Sequence, residues 1–402
     1  QDTIVVATLK TSEKSKRTID SIVLKGYEKF PTSFITYFAG IKKGAVFDNK
    51  KVIKKNNALN SLGFANSIKP PQALFEKEKT TLYLYLEKQN FNTFDGIIGF
   101  ATNEQTQNIV FNGYIDLVLN NNLNYGEQFV LKYKADGADQ ESLSLKTQLP
   151  YLLKTPLGIQ AELNIFRRDS TFSSASQSLN VSYQISPSSK AQIGIVAKTS
   201  NELLSENQNL ENLQDFSSSF LTTGVTFIKF QQNTLFPVKT FLNLDIGIGK
   251  RKTTSKNTKQ VTISSVINHC VNFNQKNSIY LQNTTNLMTS DAYLTNELFR
   301  FGGISSMRGF LENNIDASMF SILNTEYRYL VNQQTYLHTI IDLGYFENEI
   351  LKQKEKLYSF GFGLGMSTKA GLLKFSIANG NIDGQAFKFS NSKIHLSIAS
   401  QF

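Results

Sequence analysis

Arg308 is the residue of this chain best equipped for directed chemistry. It lies near the end of the stretch Glu-Leu-Phe-Arg-Phe-Gly-Gly-Ile-Ser-Ser-Met-Arg-Gly-Phe, Glu297 to Phe310, which fills the longest gap between two strand-like segments. Taken alone, Arg308 would be an ordinary solvated loop arginine. Its setting argues otherwise, because long loops are often functional. The adjacent Gly302 and Gly303 allow a tight backbone path with positive φ. A compact loop therefore delivers Arg308, followed by Gly309 and Phe310. A guanidinium held in that way seeks carboxylates in fork geometry. Two candidates follow, Glu326 in Asn-Thr-Glu-Tyr-Arg-Tyr-Leu and Asp342 in Ile-Ile-Asp-Leu-Gly-Tyr-Phe. The chemistry on offer is charge-assisted hydrogen bonding that fixes a loop.

The elements that must position these groups are strands. From Phe94 onward, segments of roughly ten residues alternate apolar and polar, the signature of a membrane barrel. In Val238 to Lys250, Leu242, Leu244, Ile246 and Ile248 point one way; Asn243, Asp245, Gly247 and Gly249 point the other. Ile159, Ala161, Leu163 and Ile165 alternate with Gln160, Glu162 and Asn164, and the last strand sets Ile394, Leu396, Ile398 and Phe402 opposite His395, Ser397 and Gln401. A soluble sandwich also alternates. Here one face stays apolar while amides and charges fill the other, strand after strand, as lipid outside and water inside require. About sixteen such segments are counted. Long connections, including Ser200 to Asp215, Thr289 to Asp316 and Glu347 to Lys356, alternate with short turns and so belong to the opposite membrane face. The candidate first strand, Phe94 to Phe100, contains Gly96 and Gly99 around Ile97, and glycine weakens strand pairing.

The N-terminal part reads differently. Residues 1–17 form a flexible lead-in. Then come a strand ending at Gly26, a helix opening at Pro31, a second helix N-capped by Asp48 and stopped by Gly63, and strands near Phe64 to Ile68 and Thr80 to Leu86. Gln1 reads as the first residue of a mature chain whose export signal has been removed or omitted.

Composition limits the alternatives. No run approaches the ~20 apolar residues of a spanning helix. The single cysteine, Cys270, excludes an internal disulfide, and three scattered histidines offer no zinc site. No nucleophile elbow, phosphate loop or metal-ligand cluster is present, so no catalytic residue, metal or cofactor is expected. The net charge of +10 suits anionic partners such as lipid headgroups. Basic residues near aromatics lie in barrel strands, which argues against nucleic acid.

Arg308-Gly309-Phe310, Glu326 and the Asp342-Leu343-Gly344 triplet, in that order, resemble the BamA-type outer-membrane assembly superfamily. Its branches include TamA-like proteins and two-partner secretion transporters. The resemblance implies a loop folded into the barrel lumen, with its arginine on acids of the next two strands. The strand–helix–helix–strand–strand order, with Ile-Val-Leu-Lys-Gly-Tyr and Leu-Asn-Ser-Leu-Gly-Phe, resembles a POTRA domain, and there is room for one copy. The resemblance also implies a weak seam between the first and last strands, here Gly96, Ile97 and Gly99 against Ile398 and Phe402, with Phe402 as a terminal assembly signal. The expected fold is an all-β transmembrane β-barrel of about sixteen antiparallel strands (91–402) with one small N-terminal α+β POTRA domain (18–90). The implied location is the bacterial outer membrane with the POTRA domain in the periplasm. The implied function is assembly or insertion of outer-membrane proteins. The implied partners are outer-membrane lipids, unfolded outer-membrane or secreted clients, and accessory subunits. A polypeptide transporter, or a passive pore or structural subunit, is the alternative.

Overall fold

The computed structural model describes residues 8, 10, 16–102, 109–136, 140–204, 212–304, 306–368, 371–386 and 388–401. The chain divides into two compact units, Gln1–Gln89 and Asn90–Phe402.

The first unit is a three-stranded sheet with one helix. Strand β1 (Ser21–Gly26) lies parallel to β3 (Thr80–Lys88), and β2 (Ala65–Phe75) lies antiparallel on the other side of β3. Alternation in β3 buries Leu82, Leu84 and Leu86 at 1% exposure or less. Helix α1 (Asn49–Leu59) is capped by the Asp48 carboxylate, which accepts from the Lys51 backbone N–H at 3.1 Å. Its Val52 and Leu59 meet the same core as Phe34, Ile35 and Phe64. The helix expected to open at Pro31 is only a five-residue π-helical turn, Phe34–Phe38. Phe, Ile, Thr and Tyr are modest helix formers, and Gly40, at φ +69°, ends the run. Pro70 and Pro71 break the β2–β3 register, which an edge strand tolerates.

The second unit is a closed barrel of sixteen antiparallel strands. They are β4 (Thr93–Thr102), β5 (Ile109–Asn120), β6 (Gln128–Asp136), β7 (Gln140–Leu149), β8 (Leu157–Arg168), β9 (Phe172–Ser186), β10 (Ser189–Glu202) and β11 (Phe216–Phe230). The ring continues with β12 (Val238–Lys252), β13 (Asn257–Asn272) and β14 (Asn277–Ser290). Two short strands, β15 (Phe299–Phe301) and β16 (Ile315–Ala317), pair with each other inside the long loop. The barrel resumes with β17 (Met319–Leu330), β18 (Thr335–Asn348), β19 (Gln353–Thr368), β20 (Gly371–Ile382) and β21 (Ser392–Gln401).

Side chains obey the two-residue period. On β9 and β10, Leu179, Val181, Ile193 and Ile195 are exposed outside, while Asn180 and Ser182 are buried inside. An apolar exterior with a polar interior is what a bilayer demands. Among the described residues no helix is long and apolar enough to cross a membrane. One expected long loop is absent. Glu347 to Lys356 is mostly ladder, with β18 running to Asn348 and β19 resuming at Gln353. Glu347 and Lys354 face each other and pair at 3.2 Å, which extends the hairpin.

Asp20 ties the start of β1 to β3. Its carboxylate accepts from the Thr80 backbone N–H at 2.7 Å and from the Thr18 hydroxyl at 2.9 Å. These bonds, the backbone one foremost, hold its pKa below the ordinary 3.8. A lowered folded pKa stabilises above the unfolded value, and that contribution is lost as pH falls through the folded value. Acid unfolding of the first unit should therefore shift with Asp20→Asn, which removes this component. Identical pH profiles of chemical unfolding below pH 4 for both proteins would refute the assignment.

Candidate functional site: a lumen loop fastened to the barrel wall

Residues 291–304 and 306–318 fold back against the inner face of the barrel. The sequence explains the path. Gly302 and Gly303 sit at φ +118° and +89°, and a Cβ on Gly302 would lie 2.3 Å from the Leu311 carbonyl oxygen. The Ser306 hydroxyl accepts from the Gly302 N–H and donates to its carbonyl, each at 2.8 Å, closing the turn. Gly309, at φ +87°, passes so near β20 that a Cβ would stand 2.5 Å from the Gly380 nitrogen. Gly380 in turn leaves room for the Phe310 ring.

Arg308 is 7% exposed and Asp342 is fully buried. The Arg308 Nε donates to Asp342 Oδ2 at 2.9 Å and Nη2 donates to Oδ1, a two-pronged fork. The Arg308 backbone N–H donates to the same Oδ2 at 3.1 Å. Nη1 donates to Glu326, whose second oxygen accepts from Arg328 Nε at 2.7 Å. Arg328 lies over the Tyr280 and Phe236 rings, 4.0 and 4.3 Å from their centroids. Burial opposes the charge on Arg308, but Asp342 and Glu326 outweigh it and hold the guanidinium above its ordinary range. Gly344 serves the loop by being small, since a Cβ there would be 3.3 Å from Met307 Sδ. Met307 is fully buried, in a cluster with Phe301, Phe320, Ile322, Phe346 and Leu357.

Sequence reasoning missed three further anchors. On one side, Arg168 of β8 forms a bidentate pair with Asp316 at 2.7 and 2.9 Å. Arg300 adds an ion pair to Asp316 at 3.5 Å and stacks on Phe166 and Phe172, 4.2 and 4.8 Å from the centroids. On another side, Glu297 pairs with Arg251 of β12 and accepts from Gln260 of β13 at 2.9 Å. Glu312 also meets Lys134 of β6 at 3.2 Å. The loop thus touches strands around the circumference. A signal existed: strand parity puts Arg168 and Arg251 on the inner face, where a cation needs an acid.

Similarity to known proteins can now be set beside this geometry. The POTRA family, described as surface antigen variable number repeat, matches residues 17–87. Among solved structures, CdiB from Acinetobacter baumannii aligns with TM-score 0.66 at 16% identity, covering 96% of this chain and 74% of that one. BamA from Haemophilus ducreyi lacking POTRA domains 1–3 aligns with TM-score 0.60 at 13% identity, covering 96% and 84%. CdiB from Escherichia coli aligns with TM-score 0.62 at 14% identity, covering 96% and 76%. A comparison with curated protein sequences returns no match. The chain has the BamA-type fold.

In BamA-type terms, the loop leaves the eleventh barrel strand, β14, and its acids stand on the twelfth and thirteenth, β17 and β18. The ends of the barrel meet elsewhere. Among the described residues, β21 and β4 share two residue pairs, Ser400 with Phe94 and Gln401 with Thr93. Ten pairs join β4 to β5. The register runs Ile398 toward Gly96, not toward Ile97, and neither Gly96, Ile97 nor Gly99 is laddered to β21. Phe402 lies outside the described residues. Among the described residues no group of three potential metal ligands occurs.

Breaking the buried Arg308 pair from either side leaves an uncompensated charge, at a cost of about 3 kcal/mol or more in a dry site. Arg308→Ala and Asp342→Ala should each release the loop to added protease by about the same factor, and the double variant should be little worse than either. Arg308→Lys should rescue poorly, because it lacks the planar fork. Additive effects in the double-mutant cycle would show that the two residues do not act as a unit.

Proposed function

We propose that this protein is an outer-membrane insertase or assembly factor of the BamA-type superfamily. The observation that carries the reading is the seam, two pairs long among the described residues, in a wall whose other ladders are several times longer. A strand edge that is barely paired is a ready template for another strand. At this seam, unfolded outer-membrane protein clients add their own strands to β4 or β21 by augmentation. The POTRA domain, residues 18–90, sits in the periplasm and offers its sheet edges, β1 and β2, to clients or accessory subunits. Residues 91–402 form the barrel, held among outer-membrane lipids. Arg308, Gly309 and Phe310, with Gly302 and Gly303 behind them and Glu326, Asp342 and Gly344 before them, hold the lumen loop while the seam works.

A second reading is supported by the likeness to CdiB: passage of a partner polypeptide through the lumen, as in two-partner secretion. That route needs the seam shut and the loop withdrawn. The anchors at Asp342, Asp316 and Glu297 favour the insertase, because all three must break to clear the lumen. The same anchors count against a passive pore. No catalytic group or cofactor enters either route.

Cysteines at Phe94 and Ser400, in a Cys270→Ser background, occupy directly opposed positions. Oxidation should lower insertion of a urea-unfolded outer-membrane protein into proteoliposomes at least tenfold, and reduction should restore it. Full activity of the locked barrel would reject lateral opening and leave the lumen route. Orientation has its own test. A cysteine replacing Lys352 should react with an impermeant label on intact cells, and one replacing Asn332 should not; the reverse pattern would invert the assignment.

A further inference from the structure

Alternation sets Lys250, Lys252 and Lys259 on the outer face of the wall, because their neighbours Arg251 and Gln260 both reach inward to Glu297. Lys250 and Lys259 are direct partners in the β12–β13 ladder. Lys256 stands in the four-residue turn joining those strands. All four lysines are exposed. Among the described residues none of them makes an ion pair within 4.0 Å. Asp291, just past the end of β14, is exposed and pairs with none of them.

Like charges directly opposed across an antiparallel pair are destabilising. Elsewhere this wall matches them. Lys146 faces Glu162, Glu141 faces Arg167, and Lys354 faces Glu347. Asp95 does face Asp116, but Asp116 has Lys132 at 2.9 Å. Among the described residues Lys250 and Lys259 have no such relief. The excess is local, too. Residues 1–89 hold 16 Lys and Arg against 8 Asp and Glu, so the barrel carries only +2 of the chain's +10.

Two residues further along the same face the surface turns apolar. Ile195, Leu221, Ile248 and Val261 form one cross-strand row, and the first three are about 60% exposed, at 59%, 61% and 65%. In the lysine row itself, Lys250 is followed by Ser219 and Ala197, both small. The result is a recessed groove of about 870 Å³ whose lining includes Ala161, Ala197, Ser219, Leu221, Ile248 and Lys250. A cationic head beside an apolar floor is complementary to a phosphate-bearing amphiphile.

We propose that the outer face of β9–β13 binds a phosphate-bearing membrane lipid, with its phosphate between Lys250 and Lys259 and an acyl chain along the groove. The proposal rests on the reading of the barrel as a membrane protein. The full-length protein in phosphatidylcholine nanodiscs containing a small fraction of phosphatidic acid should retain phosphatidic acid when examined by native mass spectrometry. A juxtamembrane lysine is worth about a fivefold change in binding. Lys250→Gln/Lys259→Gln should therefore lower retention by roughly tenfold or more. Lys250→Glu, which gives Lys259 a cross-strand partner and so keeps the hairpin, should lower it as well. Ile248→Ser should weaken retention through the groove, and Lys354→Gln, on another part of the wall, should leave it unchanged. Lysine-independent retention in a folded, inserted barrel would overturn the site alone. A barrel that fails to enter any nanodisc would overturn the membrane reading and this site with it.

Discussion

Backbone hydrogen bonding is the constraint on which the rest of this structure depends. In a bilayer no water reaches the peptide groups, so a spanning sheet must close on itself. Fifteen of the sixteen junctions here meet that demand with long ladders. The junction of β21 with β4 does not, since among the described residues it offers two residue pairs. A net worth of about 1 kcal/mol per hydrogen bond makes such a seam cheap to open in water, and lipid raises the penalty for leaving the freed groups unsatisfied. An edge of that kind is stable only while something pairs with it or the bilayer is kept from it. The weakness is placed where the first and last strands meet, and the other junctions keep long ladders.

The lumen loop answers a different need. A barrel this wide cannot fill its interior with wall side chains alone. Here the loop supplies an interior, and it does so with charge as well as apolar packing. Three carboxylates, Asp342, Asp316 and Glu297, meet arginines on the far side of each contact. The polarity is mixed: Arg308 comes from the loop and its acids from the wall, whereas Asp316 and Glu297 come from the loop and Arg168 and Arg251 from the wall. Such an exchange of sign allows one docked position and penalises rotation of the loop, because a shifted loop would set like charges together. Forked arginine geometry sharpens this further. Burial draws Arg300 down to about 10, yet its Asp316 contact keeps it a cation at neutral pH.

Much of this was legible in the sequence, and the parts that were not share a cause. Two-residue alternation announced the strands, because the pleat leaves its period in the side chains; Leu242 to Ile248 show it plainly. Asp48 marked the start of α1 through its carboxylate cap, and Gly63, at φ +76°, closes the 3-10 turn (Asn60–Leu62) that follows the helix. Arg308, Glu326 and Asp342 stood out as one cation and two acids within a short span of sequence. Arg168 and Asp316 did not, since 148 residues separate them and only barrel closure brings them together. The seam was placed on the right two strands, but its register was not legible, because so short a junction has little pattern to specify it. The expected helix at Pro31 shrank to one turn, where local propensity for Phe, Thr and Tyr was weaker than the apolar spacing suggested.

Seam and loop are therefore coupled less tightly than their shared barrel implies. The Arg308 anchor lies on β17 and β18, while the seam lies on β4 and β21, with β19 and β20 between. Gly309 and Phe310 bridge part of that distance, because they press on Gly380 of β20, the neighbour of β21. A loop held by Asp342 thus braces the strand that pairs with the seam strand. A physical link from loop to seam runs through the close backbone approach at Gly309 and Gly380, which side chains at either position would disturb, and another runs from Glu312 to Lys134 of β6.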